Sequence, residues 1–165
     1  MSDDPTRSHT FTWHDPNAIA RASGGMSGLA ALRAILAGEI PPPPITSALG
    51  FRVTAVDEGS VTFAFAPAEY HYNPIGSVHG GVAATLLDSA MGCSVHTLLP
   101  AGVGYTTLEI KVNYIRPLTA ASGEVRAVGK VLHLGNKTAI AEGKLLGADG
   151  KLYAHATTTC LILRE

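Results

Sequence analysis

Asn73-Pro74-Ile75-Gly76-Ser77-Val78-His79-Gly80-Gly81, running directly into residues 82–99, is the stretch that decides how this chain folds. Its first part predicts an irregular loop, because Asn-Pro initiates turns and Gly76, Gly80 and Gly81 permit backbone that other residues resist. Its second part predicts a helix. Val82, Leu86, Leu87, Ala90 and Met91 recur at helical spacing and form one apolar stripe. A different face carries Gly81, Ala84, Thr85, Asp88 and Gly92, all small except for the one carboxylate. An acid there is costly unless it has partners or a task. Pro100 and Gly102 end the helix.

Where the loop meets the helix, the amides of Gly80 and Gly81 are first-turn donors with no intrahelical acceptor. They sit at the positive end of the helix dipole and suit developing negative charge, so an oxyanion site is one reading. The other is that the glycines only tighten a turn while His79 caps or packs. If both Gly80 and Asp88 act, geometry adds a constraint. Eight residues at 1.5 Å each separate them by roughly 12 Å along the axis, whereas a reaction centre must lie about 3 Å from both groups. Two antiparallel copies of the helix would bring Gly80 of one near Asp88 of the other, which implies a two-fold dimer with two composite sites.

Outward from the helix, the pattern changes to period two. Phe51, Val53 and Ala55 alternate, Asp57-Glu58-Gly59 turns, and Val61, Phe63 and Phe65 alternate again, predicting a hairpin. Residues 106–116 set Leu108, Ile110, Val112 and Tyr114 against Thr107, Glu109, Lys111 and Asn113, and Pro117 closes that strand. Three more strands, 125–134, 137–146 and 152–163, are joined by tight turns at Gly135-Asn136 and Ala148-Asp149-Gly150. The order β-β-α-β-β-β-β with one long helix predicts an α+β sandwich of antiparallel sheet and helix over residues 45–165. Residues 1–44 form an N-terminal extension. Residues 1–25 read as a loosely draped arm with Trp13 docking on the body, and a short helix follows, with Ser27 as N-cap and Gly38 as stop. Pro41–Pro44 is read as an internal strut rather than an SH3-type ligand.

The 165 residues imply one domain, and 46% hydrophobic against 15% charged residues is lean for a small domain's surface, hinting at oligomerisation. A net charge of −1 gives no footprint for nucleic acid or an anionic membrane. Two cysteines, a polar start without an apolar leader segment and no long apolar run predict free thiols, no membrane span and a cytoplasmic protein. His71, His79 and His96 form neither HxxxH nor HExxH, so no metal or other cofactor is expected. His133 and His155 are expected to be structural. GxSxG is absent, which removes an α/β-hydrolase serine.

Asn73, His79-Gly80-Gly81 and Asp88, nine residues after the histidine, resemble the signature of hotdog-fold acyl-CoA thioesterases. The nearest branch is the phenylacetate-pathway type, related to 4-hydroxybenzoyl-CoA thioesterases, and the resemblance runs from about Pro42 to Leu163. It implies an antiparallel sheet wrapped around one long central helix, and a homodimer paired into a tetramer. It also implies hydrolysis of an acyl- or aryl-CoA. In that arrangement the Gly80 amide and Asn73 side chain polarise the thioester carbonyl, with Gly81 lining the same junction. Asp88 of the facing subunit serves as base or nucleophile, His79 orients the loop and Thr107 holds the water. Arg116, Lys130 and Lys137 are the candidates for the CoA phosphates, and the proline strut would wall the acyl end. The benzoyl-type branch carries Glu at the Asp88 position and Thr one turn later, where this chain has Gly92. Two other readings stay open: a non-catalytic acyl-CoA-binding regulator, and a hotdog dehydratase. The first would need a DNA-binding domain or a lost carboxylate, and the second a His-Pro-Gly loop where His79 is followed by Gly-Gly.

Overall fold

The computed structural model describes residues 5–164. Helices α1 (Pro16–Ser23), α2 (Gly28–Ala37) and α3 (Pro44–Leu49) precede strands β1 (Phe51–Asp57) and β2 (Ser60–Phe65). Then come the long helix α4 (Gly80–His96) and strands β3 (Gly104–Tyr114), β4 (Val125–Leu134), β5 (Thr138–Gly147) and β6 (Leu152–Leu163). All six strands form one sheet in the order β1-β2-β4-β5-β6-β3, and every neighbouring pair is antiparallel. The sheet curls over α4, as the period-two strands and single apolar helix predict.

The core lies between them. Leu86, Leu87, Ala90, Met91 and Val95 of α4 are fully buried against Phe65, Val125, Ala127, Ala139, Ala141 and Ala156 of the sheet. The alanines and two strand glycines let the helix approach closely. A Cβ on Gly129 would stand 2.2 Å from the Ala90 carbonyl oxygen, and one on Gly143 would stand 3.0 Å from Met91. Two buried hydroxyls tie the helix to the first hairpin: Ser94 accepts from the Val61 amide at 2.9 Å, and Thr97 accepts from the Gly59 amide at 2.8 Å.

The N-terminal extension departs from its expected form. Residues 1–4 of the expected arm lie outside the described residues. Pro16–Ser23 is a helix, started by the Asp15 side chain, which accepts from the Asn17 amide. The sequence lacks a sustained apolar stripe here because Ile19 is the helix's one buried side chain. Trp13 stays 59% exposed and meets Phe11 rather than the body. His9 makes the docking contact instead, stacked on Tyr70 at 3.9 Å. The α2 boundaries follow the predicted caps: Ser27 accepts from the Ala30 amide, and Gly38 has φ 76°.

Strand β3 also corrects a detail. The simple alternation set Thr107 opposite Leu108 and Ile110, but Leu108 is an extra residue bulged out of the β3–β6 ladder between Thr107 and Glu109. Thr107, paired with buried Cys160, therefore shares a face with Ile110, paired with buried Thr158, and Leu108 points outward. A bulge of this kind inverts the side-chain alternation on one side of it. Among the described residues no helix is long and apolar enough to cross a membrane.

Candidate active site

The loop before α4 is built by its own polar groups. The Asn73 side-chain oxygen accepts from the Ile75 amide at 3.0 Å, and Gly76 turns the chain with φ 80°. The Asn73 amide nitrogen lies 3.5 Å from the Ser77 hydroxyl. His79 is the N-cap: its Nδ1 accepts from the Gly81 amide at 2.9 Å. That bond fixes the tautomer, since an accepting Nδ1 leaves the proton on Nε2. It also corrects the expectation that both glycine amides stand free. The Gly81 amide is taken, and among the described residues only the Gly80 amide of that pair is left open. The Gly80 carbonyl, in turn, accepts from the Tyr114 hydroxyl at 3.0 Å, which sets the edge of β3 against the helix start.

Two turns along α4, the Thr107 hydroxyl donates to Asp88 Oδ1 at 2.8 Å. The bulge at Leu108 makes this contact possible by turning Thr107 inward. One carboxylate oxygen is thus held, while Asp88 and its neighbours Ala84 and Thr85 remain half-buried rather than packed into the core. Gly92, on the same side, is covered by Tyr105. A Cβ at Gly92 would lie 2.8 Å from the Tyr105 hydroxyl, so only glycine leaves room for the ring.

These groups open into two separate cavities. One, of about 420 Å³, is lined by Asn73, Ser77, Gly80, Tyr114 and Arg116 among others. The second, of about 190 Å³, holds Asp88, Thr107, Cys93 and Tyr105 beneath α2 and the proline strut. Among the described residues none lines both. Lys130 and Lys137 line neither: Lys130 is exposed on β4, and the Lys137 carbonyl, beyond the β4–β5 turn, accepts from Ile162. The Arg116 guanidinium donates to the Leu152 carbonyl, and Arg116 lines the first cavity. His155 lies 3.6 Å from Glu142, and His133 is exposed, both away from these cavities.

The second cavity is a low-dielectric place. Burial pushes the Cys93 thiol up to about 12, against the Tyr105 hydroxyl hydrogen-bonded to it, and Asp88's charge raises it further. Burial likewise lifts the Tyr105 phenol well above its ordinary value. Neither ionises near neutral pH, and among the described residues Asp88 is the only carboxylate lining that cavity. Among the described residues no group of three or more metal-ligating side chains occurs. The sequence marked Leu32 and Ile35 as an apolar helix face and Tyr114 as part of a strand, but assigned neither these nor Tyr105 to the site. The spacing of Gly80 and Tyr114, thirty-four residues apart, gives no local signal of their contact.

The profile of the thioesterase superfamily matches residues 75–154. A Pseudomonas aeruginosa protein provisionally named an esterase is 31% identical over 116 residues, 70% of this chain and 79% of its own length. The 1,4-dihydroxy-2-naphthoyl-CoA hydrolase of Escherichia coli K12 is 30% identical over 90 residues, 54% of this chain and 65% of its own. A solved structure from Ralstonia eutropha JMP134, provisionally named a thioesterase and related to phenylacetic acid degradation, is 32% identical, with a TM-score of 0.71 over 79% of this chain and 98% of its own. The profile's place over loop, helix and strands and these likenesses agree with the single helix in its curled sheet: the chain belongs to the thioesterase superfamily, with the hotdog fold, and is a thioester hydrolase.

Proposed function

We propose that the protein is an acyl-CoA thioesterase working as a homodimer, each site taking Gly80 from one chain and Asp88 from the other. One observation carries this: Gly80 and Asp88 line separate cavities that, among the described residues, share no lining residue. One chain therefore holds two half-sites. The half-exposed, small-residue side of α4 leaves room for a second helix, and β3 ends the sheet with its outer edge unpaired. An eleven-residue free edge is a ready site for pairing with another copy.

In such a dimer the chemistry follows from the hydrogen bonds. With Thr107 donating to Asp88 Oδ1, the second carboxylate oxygen and the Thr107 oxygen can both accept from one water. Asp88 takes a proton as that water attacks the thioester carbonyl, a general-base step. Negative charge builds on the carbonyl oxygen, where Gly80 of the partner subunit presents its open amide at the positive end of a helix. Asn73 lines the same cavity and has one side-chain amide hydrogen left to assist. The C–S bond then breaks, and the proton held by Asp88 passes to the departing CoA sulfur. His79 acts at one remove, by capping Gly81 and fixing the loop. Arg116 stands where a CoA phosphate could reach it, and Lys130 and Lys137 of either chain serve only if the dimer brings them to the mouth.

The low charged fraction of 15%, with exposed Leu132 and Ile140 on the sheet, supports pairing of dimers into a tetramer. The free thiols Cys93 and Cys160 suit a reducing compartment, and we place the reaction in the cytoplasm. The test is thiol release from a panel of acyl-CoA esters with the purified protein. Steady turnover that disappears in Asp88→Asn is expected, and its persistence would remove the carboxylate from the mechanism.

A further inference from the structure

The N-terminal extension supplies one wall of the acyl-side cavity. Leu32 and Ile35 come from α2, Pro42 and Pro43 from the strut, and Ile45 and Thr46 from α3. All six lie outside residues 75–154, the part that matches the superfamily profile. The rest of the lining is Phe51, Val53 and Phe63 of the first hairpin, Ser89 and Cys93 of α4 and Tyr105 of β3. Asp88 and Thr107 are the reactive groups of a mostly apolar space, in which Thr46 and Ser89 are the other hydroxyls.

Its size is informative. A cavity of about 150 Å³ lined by apolar side chains takes one benzene ring. The 190 Å³ here leaves about 40 Å³ beyond that. On the same scale a fused pair of rings, with ten carbons rather than six, needs roughly 250 Å³. The walls are not easily pushed back. Leu32, Phe51 and Phe63 are buried in the core, Tyr105 is pinned over Gly92, and the rings of Pro42 and Pro43, on the exposed side with Ile45, fix φ there. Among the described residues no cationic side chain lines the space, so a second carboxylate on the acyl group would be desolvated beside Asp88 without a partner.

We propose that the N-terminal extension sets the acyl specificity: Ile35, Leu32 and the Pro42–Pro43 strut limit the pocket beside Asp88 to one compact, uncharged acyl group. A single ring or a chain of about seven carbons fits. Fused two-ring, long-chain and dicarboxylic acyl groups are refused. This separates the chain from its relative named for a naphthoyl thioester. The proposal rests on the thioesterase reading of Asp88 and Gly80.

The experiment compares kcat/KM for acetyl-, hexanoyl-, benzoyl-, decanoyl-, 2-naphthoyl- and succinyl-CoA in the wild type, Ile35→Ala and Ile35→Trp. Hexanoyl- and benzoyl-CoA should exceed the decanoyl, naphthoyl and succinyl esters by at least about tenfold, the scale of discrimination a small volume change brings in an apolar pocket. Ile35→Ala should raise the naphthoyl-to-benzoyl ratio at least about fivefold. Ile35→Trp should lower the benzoyl-to-acetyl ratio of kcat/KM about tenfold. Naphthoyl turnover equal to benzoyl in the wild type, or a ratio unmoved in both variants, overturns the proposal. If no thioester is cleaved at all, the hydrolase reading fails instead, and the pocket is then read by binding. Benzyl alcohol should bind in ligand-observed NMR and 2-naphthylmethanol should not, with benzyl alcohol lost in Ile35→Trp. Equal binding of both alcohols, or binding unchanged by Trp, overturns it on that route.

Discussion

The composite site makes a demanding prediction about Gly80. It is the first residue of α4, a position where proline is tolerated because the amide has no intrahelical acceptor. His79 before it has φ −59° and ψ 134°, the extended conformation a residue preceding proline prefers. Gly80→Pro should therefore keep the helix and delete the one open donor. A Cβ there would lie 3.1 Å from the tip of the Tyr114 ring, but that ring is 58% exposed and can yield. Removing one oxyanion donor lowers kcat by about 10²–10³, or about 2.7–4 kcal/mol. Gly80→Ala keeps the amide and controls for the added carbon, so it should lose much less. Now mix Gly80→Pro with Asp88→Asn, each nearly inactive, through unfolding and refolding at equal amounts. About half the dimers are mixed, and in each mixed dimer one of two sites has an intact Gly80 and an intact Asp88. Thiol release should recover to about a quarter of wild type at equal total protein, far above either parent. No recovery, with heterodimers demonstrated by native mass spectrometry, would place both groups in one chain's site and refute the reasoning.

Other expectations follow from single contacts. Thr107→Val removes the hydroxyl that holds Asp88, and kcat should fall about tenfold or more with KM little changed; an unchanged kcat would leave Thr107 with a packing role only. Gly92→Ala pushes a methyl to within 2.8 Å of the Tyr105 hydroxyl, and overpacking of this kind costs about 1–3 kcal/mol. A urea midpoint equal to wild type would show that Tyr105 is not held there. Stability should be greatest between about pH 6.5 and 9, for two opposite reasons. Burial lowers His71 and His96 below 6.5, so as pH falls through 6.5 the unfolded chain takes up protons the native one refuses, and stability drops. Burial raises Cys93 from 9.0 to about 12, and Cys160 is raised as well, so above 9.0 the unfolded chain releases protons the native thiols keep. Stability then falls with rising pH, for Cys93 alone by about 1.4 kcal/mol per pH unit. Denaturation midpoints equal at pH 8 and pH 10 would contradict the burial of both thiols.

The sequence by itself determined the parts whose causes are local. The helical stripe from Val82 to Met91, the caps at Ser27 and Gly38 and the strand alternations each act within a few residues, so each could be read from a short window. The loop of Asn73 and His79-Gly80-Gly81, with Asp88 nine residues on, was legible in the same way, because a helix converts residue spacing into distance. What only the tertiary structure decided depends on groups far apart in the chain. The bulge at Leu108 is set by the β3–β6 register, and it turns Thr107 toward Asp88 against the plain alternation. The helix at Pro16–Ser23 is held by one buried isoleucine, too weak a pattern to read. Gly92 looked like one more small residue until Tyr105 was found lying over it. The wall of Leu32, Ile35 and the strut faces Asp88 because α2 folds back across the hairpin. Local torsions and periodicity are written residue by residue, whereas a cavity is the space left between elements once they pack.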